Sequence, residues 1–422
     1  MASSAARTAA TKTRDAAAAA AHQTARAAAS TARGTAALVA LAPSVAANAA
    51  LSPSLTGLLL LVLARGPAEA RRRLASALGA EADPERLERA KRVLRVLFAL
   101  GVARVANAVL NRWALRGWRW GRAKGGPAWD FDGKVGTGEV VVVTGGCSGI
   151  GREVVKGLVE RGGVGVKVVV VDVVDLPEEF EGRPNIVYYG CDLTSPPSIH
   201  ETAAMIRADC GDPTVLINNA GIAHGHTILD GSDEYDERLF RVNVLSHFTL
   251  IREFLPGMLS QKKGHIVTVA SMASYYSCAG LVNYCASKHA VLSLHEGLNV
   301  ELRNRYGPAG KNIVTSIVHP MWAQTSIISS WEASLRRTRT KILKPTDISD
   351  KIVTQVLRGE PAQIYVPKSM SAYVGIKAWP HWLQELVRDD GNKRTKPFEE
   401  GKGKGRISDV GIQLILARPD VE

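Results

Sequence analysis

From Glu139 onward the chain alternates two hydrophobic patterns. Short runs of valine and isoleucine recur at "EVVVVTG", "VKVVVVDV", "NIVYYGCD", "TVLINNAG", "GHIVTVAS", "IVTSIVHP" and "AQIYVP", most of them bounded by Gly, Pro, Asn or Asp. Near-continuous apolar runs of this length mark strands buried on both faces. Between most of them the apolar positions fall at helical spacing, as from Arg152 to Val159. This alternation predicts an α/β fold, a doubly wound parallel sheet with its ligands at the carboxyl ends of the strands.

The N-terminal third has another texture. Residues 1–50 are rich in Ala, Thr, Ser and Arg with one acid, Asp15, a low-complexity stretch read as disordered. An Arg-rich, acid-poor start also fits a mitochondrial transit peptide, the weaker reading. Residues 51–134 turn apolar and basic. "LTGLLLLVLA" (Leu55 to Ala64) has about half the ~20 residues a bilayer span needs. A second helical segment follows, interrupted by Arg95 and Arg104, and then Trp113, Trp118, Trp120 and Trp129 interleave with arginines. Leucine faces, snorkelling arginines and tryptophans suit a membrane interface, with peripheral or hairpin insertion favoured over a span. The alternative is a helical extension packed on the rest of the chain. Residues 135–368 then form the sheet domain, and 369–422 a C-terminal extension ending in a Gly- and Lys-bearing flexible tail.

Charge follows this division. The chain of 422 residues carries +13. Residues 1–133 hold 20 Lys and Arg against 8 Asp and Glu, and the remainder 33 against 32. The excess accompanies leucine faces and no nucleic-acid-binding module is recognisable, so nucleic acid is not an expected partner. Five cysteines fall in no metal-ligand spacing, which points to a reducing compartment and no metal.

The glycine turn after the first strand, Gly145 to Gly151 with Cys147, Ser148, Gly149 and Ile150 between, brings bare amides and a helix N-terminus to one point. A pyrophosphate can sit there. The second strand ends in Asp172, where dinucleotide folds place an acid for the adenosine ribose. The other reading is a solvated strand-end aspartate. A carboxylate repels a 2′-phosphate and neither Cys147 nor Val173 is basic, so of NAD(P), NAD is favoured. Asp192 ends the third strand, as acceptor for an adenine amino group or as a helix cap. "NNAG", with Asn219, Ala220 and Gly221, lets backbone approach a cofactor. Tyr284 and Lys288 share one face of a helix, and Ser271, thirteen residues before Tyr284, stands at a strand end on the same crevice.

The set Thr144-Gly145-x-x-x-Gly149-Ile150-Gly151, Asn218-Asn219-Ala220-Gly221, Asn243, Ser271 and Tyr284-x-x-x-Lys288 resembles the short-chain dehydrogenase/reductase family, in its compact branch. The features "VNVLSHF", "REFLPGM", "YCASKHAV" and "HEGLNVEL" bring it nearest the membrane-associated retinol dehydrogenase and 17β-hydroxysteroid dehydrogenase group. The resemblance implies a Rossmann-type fold over roughly Gly138 to Pro367 and hydride transfer between an alcohol and a nicotinamide. Tyr284 would be the acid/base, its pKa lowered by Lys288 together with the positive charge of the oxidised nicotinamide, and Lys288 would also hold the ribose. Ser271 would hold the substrate oxygen, and Asn243 a water linking Lys288 to solvent. Pro320 and Thr325 would meet the nicotinamide. One departure is Pro320-Met321, where the family commonly has Pro-Gly; without glycine a positive φ is strained there, and the loop should differ.

The expected partners are a hydrophobic small molecule, retinoid-, steroid- or lipid-like, and a membrane or lipid-droplet surface, with a homodimer allowed. The expected location is membrane-associated and cytosol-facing, at endoplasmic reticulum or lipid droplet rather than mitochondrion. Two alternatives remain: a reductase of long-chain keto lipids of the ketosphingoid type, and a non-catalytic nucleotide-binding scaffold. His224 and His226, near "NNAG", carry no role in this reading.

Overall fold

A computed structural model describes residues 49–80, 83–120, 126–134, 138–329 and 331–395. The expected disorder of the first 50 residues and of the tail falls almost wholly outside them. Two compact units divide the chain, residues 1–112 and 113–422.

All seven predicted strands form: β1 (Glu139–Thr144), β2 (Val166–Asp172), β3 (Ile186–Gly190), β4 (Val215–Asn218), β5 (Gly264–Val269), β6 (Ile313–Pro320) and β7 (Ala362–Val366). They make one parallel sheet in the order β3-β2-β1-β4-β5-β6-β7, a Rossmann-type sheet. Val141 pairs with Val168 of β2 on one side and Val215 of β4 on the other. Because side chains alternate along a strand, Val141 and Val143 enter one core layer and Val142 the other. The first layer packs the helices Gly149–Arg161 and Pro345–Arg358 through Val154, Leu158, Ile352 and Val356. The second packs Pro196–Cys210, Ser246–Gln261 and Val282–Asn304 through Ile206, Phe254, Met258 and Leu298. With both faces covered, the valine runs of β1 and β2 are buried. The chain leaves β1 for β2 and β3, then crosses to β4. That reversal opens a crevice at the carboxyl ends of β1 and β4.

The described part of the first unit is helical: Pro53–Arg65, Ala68–Ala77 and most of Pro84–Leu115, whose last turn falls in the second unit. Ser52 caps the first, its hydroxyl accepting from the Leu55 amide at 3.5 Å, with Pro53 at the first helical position. The third runs 32 residues without a break at Arg95 or Arg104. By length and composition it is the one helix among the described residues able to cross a membrane, with a mean hydropathy of 1.8 over its most apolar window. It ends in a Schellman cap. The Trp118 amide donates to Trp113 O and the Gly117 amide to Ala114 O, with Gly117 at φ +63°. The Trp113 and Trp118 rings make the accompanying apolar contact at 5.1 Å.

Residues from Trp113 fall in the second compact unit. One expectation for residues 51–134 changes. Trp129 is not part of an interfacial belt. It stacks on Phe131 at 5.4 Å against the first core layer, under the Lys263 ammonium at 5.5 Å from its ring. The buried Glu139 carboxylate holds this strap, accepting from the Asp130 amide at 2.6 Å and from Lys263 at 2.7 Å. Composition alone could not separate a tryptophan in water or lipid from one laid over a sheet.

Candidate functional site

Thr144 ends β1 at the crevice, and its hydroxyl oxygen accepts from the amides of Asn219 at 3.0 Å and Ala220 at 3.1 Å. Asn219 Nδ2 donates in return to the carbonyls of Thr144 and Gly145, at 3.0 and 3.1 Å. "NNAG" therefore acts as a clamp joining the ends of β1 and β4. In the glycine turn that follows, Gly145 and Gly149 take φ of +66° and +52°. A Cβ on Gly151 would lie 1.9 Å from Gly145 O, so only glycine lets the helix start this close to the turn. Ser148 stands at the N-cap of Gly149–Arg161 without a side-chain cap bond, leaving the first-turn amides to an external acceptor. A tight cradle and a helix start without a side-chain cap fit a dinucleotide phosphate.

Asp172 is half-buried and hydrogen-bonded into the glycine turn. One carboxylate oxygen accepts from the Cys147 amide of the glycine turn at 2.9 Å, the other from Val173 and Val174 at 2.8 and 3.2 Å. Burial, with the charge of Asp172 beside it, pushes the Cys147 thiol up to about 12. Asp192 is exposed and bonds the Thr194 amide at 2.9 Å and hydroxyl at 2.8 Å. The helix cap anticipated there is Ser195, so the capping reading of Asp192 is corrected.

Asn243 sits in a five-residue π-helical turn, Arg241–Leu245, between two α-helices. Fully buried, it accepts from the Ile222 amide at 2.8 Å and donates to Ile222 O at 3.0 Å and Ser287 Oγ at 3.2 Å. A Cβ on Gly221 would lie 3.4 Å from Asn243 Oδ1 and 3.6 Å from Lys288 Nζ, so both groups flank that glycine.

Ser271 follows β5 and caps a short 3-10 turn, its hydroxyl accepting from Ala273 at 3.1 Å. Tyr284 and Lys288 project from Val282–Asn304 toward it. Burial pushes the Tyr284 phenol up to about 12, while its hydrogen bond to Ser271 works the other way. Burial also pulls Lys288 down to about 8. Its ammonium donates to Val269 O at 3.1 Å and lies 5.6 Å from the Tyr284 ring centroid. The neighbour whose hydrogen bond lowers the phenol is Ser271.

The segment after β6 closes the site. Met321 adopts no positive φ; its amide instead donates to Val366 O at 2.8 Å, continuing the pairing of β6 with β7. Thr325 then reaches back to the glycine turn, where a Cβ on Gly149 would meet its Cγ2 at 3.1 Å. One open cleft gathers Gly145, Ser148, Gly149, Ile150, Asn219, Ala220 and Gly221 with Ser271, Tyr284, Lys288, Pro320 and Thr325. Cys147, Gly151, Asp172, Asp192 and Asn243 do not line it; apart from Asp192, they shape the backbone beside it.

Several cleft residues were not singled out from sequence. Trp331, Ile328, Leu281 and Cys278 form an apolar cluster against which Tyr284, Tyr276 and Trp322 pack. Trp331 lies so close to Gly225 that a Cβ there would be 2.5 Å from its ring. Behind Ser271, buried His319 donates from Nδ1 to the Ser271 carbonyl at 3.2 Å, and burial pulls its ring down to about 4. Its position directly before Pro320 was the available signal.

Comparison with known proteins agrees with this geometry. The model of the family described as short chain dehydrogenase matches residues 139–335. Dehydrogenase RED2 of Cochliobolus heterostrophus is 41% identical over 191 residues, 45% of this chain and 68% of that one. Human epidermal retinol dehydrogenase 2 is 31% identical over 249 residues, 57% of this chain and 78% of that protein. Retinol dehydrogenase 10-B of Danio rerio is 43% identical over 121 residues, covering 29% of this chain and 36% of that one.

Proposed function

The chain belongs to the short-chain dehydrogenase family, and on that premise we propose that it interconverts a hydroxyl and a carbonyl on a retinoid-, steroid- or lipid-like molecule. It is an NAD(P)-dependent dehydrogenase acting on CH–OH groups. The observation that carries the substrate reading is the apolar cluster of Trp331, Ile328 and Leu281, built directly against Tyr284. An apolar wall with a few convergent polar groups is what binds a hydrophobic molecule in one orientation.

In the proposed mechanism a bound nicotinamide dinucleotide supplies the hydride acceptor or donor. The glycine turn and the first-turn amides of Gly149–Arg161 would hold its phosphates. Ser271 Oγ donates to the substrate oxygen as negative charge grows on it. Tyr284 carries the proton at its phenol oxygen. With the group raised to about 12 it is a proton donor at neutral pH, as reduction of a carbonyl requires. Oxidation needs added positive charge near that oxygen, which the Lys288 ammonium, 5.6 Å from the ring centroid, would supply together with the oxidised nicotinamide. NAD is the preferred form, because the Asp172 carboxylate faces the turn and Arg152 is already held by Glu179 at 2.6 Å.

Attachment to a membrane through residues 51–112 completes the reading. It is supported by Pro84–Leu115 and by exposed Leu58, Leu61 and Val93. A screen of retinoids, sterols and long-chain alcohols in detergent, followed by NADH fluorescence, tests the proposal. Turnover confined to small polar alcohols would refute the substrate class.

A further inference from the structure

A second cavity, open to solvent, lies at the other end of the sheet, lined entirely by residues between Leu115 and Pro361. Asn312, Ile313 and Pro361 place it at the amino ends of β6 and β7, whereas the dehydrogenase cleft lies at the carboxyl ends. Its lining is strongly cationic: Arg116, Arg119, Lys262, Lys263, Arg303 and Lys311 face a single carboxylate, Glu360. Glu360 is used by Arg116 at 2.7 Å, and Lys263 by Glu139 at 2.7 Å. Arg119, Lys262, Arg303 and Lys311 have no carboxylate partner among the described residues. Arg119 is half-buried, its partners among the described residues being the carbonyls of Arg116 and Lys311, and desolvation lowers its pKa. Like charges gathered around one void repel, and an arrangement of this kind is relieved by an anion.

We propose that this cavity binds a phosphate-bearing anion, supplied by the headgroup of an anionic phospholipid. Arginine forks match phosphate oxygens two at a time, and lysines add point charge. The source follows from the order along the chain. The apolar helix Pro84–Leu115 ends at the cavity's own lining residue. The Schellman cap and the residues just after it then present Trp118 and Trp120, 58% and 76% exposed, interleaved with the lining cations Arg116 and Arg119. An apolar helix ending in mixed aromatic and basic residues is the profile of a chain leaving a bilayer through its headgroups. Trp118, directly before the lining residue Arg119, takes a left-handed φ of +62°, a strained conformation for a bulky residue. The headgroup assignment rests on the membrane reading above; the anion site itself does not.

The test uses the full chain in non-ionic detergent, with NADH present to fill the cleft. Dihexanoyl phosphatidic acid, dihexanoylglycerol and inorganic phosphate are titrated by calorimetry. Phosphatidic acid should bind one to one and dihexanoylglycerol should not. Lys262→Gln with Lys311→Gln, both exposed, should weaken binding about tenfold or more, since each basic group near such a headgroup contributes on the order of a fivefold change. Arg303→Gln should weaken it further, and unchanged melting and NADH affinity show that the variants fold. If that arginine variant does not fold, the lysine pair carries the test. Phosphate binding as tightly as phosphatidic acid would keep the site but assign it to free phosphate. Failure of both anions to bind, or undiminished binding by the lysine variant, overturns the proposal. Retention on phosphatidylcholine vesicles in that case would leave membrane attachment standing without this site.

Discussion

Asn243 holds Ile222 by both backbone polar groups, accepting from its amide at 2.8 Å and donating to its carbonyl at 3.0 Å. A side-chain amide here does what a neighbouring strand would do, and it fixes the loop leaving β4 beside Gly221 and Lys288. Asn243→Ala leaves the buried polar groups of Ile222 unpaired, at about 1–3 kcal/mol each. The melting temperature should fall by several degrees and turnover with it. Asn243→Asp keeps the shape but loses the donation, so it should recover only part of the stability. Calorimetric melts of the two variants decide it; an unchanged melt for Asn243→Ala would show that the loop is held elsewhere.

Tyr284→Phe removes the phenol proton and keeps the ring against Cys285 and Trp331. Dinucleotide binding, followed by fluorescence titration, should stay close to wild type. Turnover should fall well over tenfold, more than ~1.4 kcal/mol of barrier. A variant retaining a tenth of kcat or more would exclude Tyr284 as the proton carrier.

Much of this architecture was legible in the sequence, and the residues explain why. Valine runs such as Val140 to Val143 have few places to go but a sheet covered on both faces, so all seven strands could be read directly. The glycine turn was legible because its spacing and the flanking strand and helix agree. What escaped depends on contacts distant in sequence. Asp172 could be placed at a strand end, but not its three amide partners. The π-helical turn at Asn243 carries no Gly or Pro to mark it. Trp331 is 47 residues from Tyr284, with no periodicity to join them, and the apolar wall exists only once the segment after β6 folds back.

Cofactor choice can be tested at Asp172. The wild-type protein should bind NADH at least about tenfold more tightly than NADPH, a difference of ~1.4 kcal/mol. Asp172→Ala should narrow that ratio by removing the charge. It should also weaken both affinities, because the Cys147, Val173 and Val174 amides lose their acceptor. Competition between the two dinucleotides in fluorescence titrations measures both effects. Equal wild-type affinities would mean that the carboxylate serves only the turn.

Stability should fall in acid through buried histidines. Burial pulls His247 and His265 down to about 3 and His295 and His319 to about 4. An unfolded histidine binds its proton near pH ~6.5. Between those values the unfolded chain holds more protons than the folded one, so stability drops as pH falls from about 6.5 toward 4. His247 is the clearest case, since neither ring nitrogen has a partner in the described structure. His247→Leu should flatten the decline in melting temperature between about pH 7 and about pH 5. A slope as steep as wild type would place the acid sensitivity in other groups.

The extension separates two physical forces that respond differently to salt. Basic residues near anionic lipid contribute on the order of 1 kcal/mol each, and that attraction is screened over a Debye length of ~8 Å at physiological ionic strength. Apolar burial contributes roughly 25 cal/mol per Å² and is not screened. Pro53–Arg65 and Pro84–Leu115 leave Leu58, Leu61, Val93 and Leu100 more than half exposed, so apolar contact should dominate. The full chain should therefore stay on membranes through a molar salt wash and leave only with detergent. A chain beginning at Trp113 should lose its hold on neutral lipid and keep cofactor binding. One beginning at Gly133 should fare worse, because it also loses Trp129 and Phe131 from the sheet's core, where removing one large aromatic costs about 3–5 kcal/mol. Sedimentation, flotation and melting of the three chains measure this. A full-length protein found in the supernatant without detergent would show that the exposed leucines are covered by protein instead.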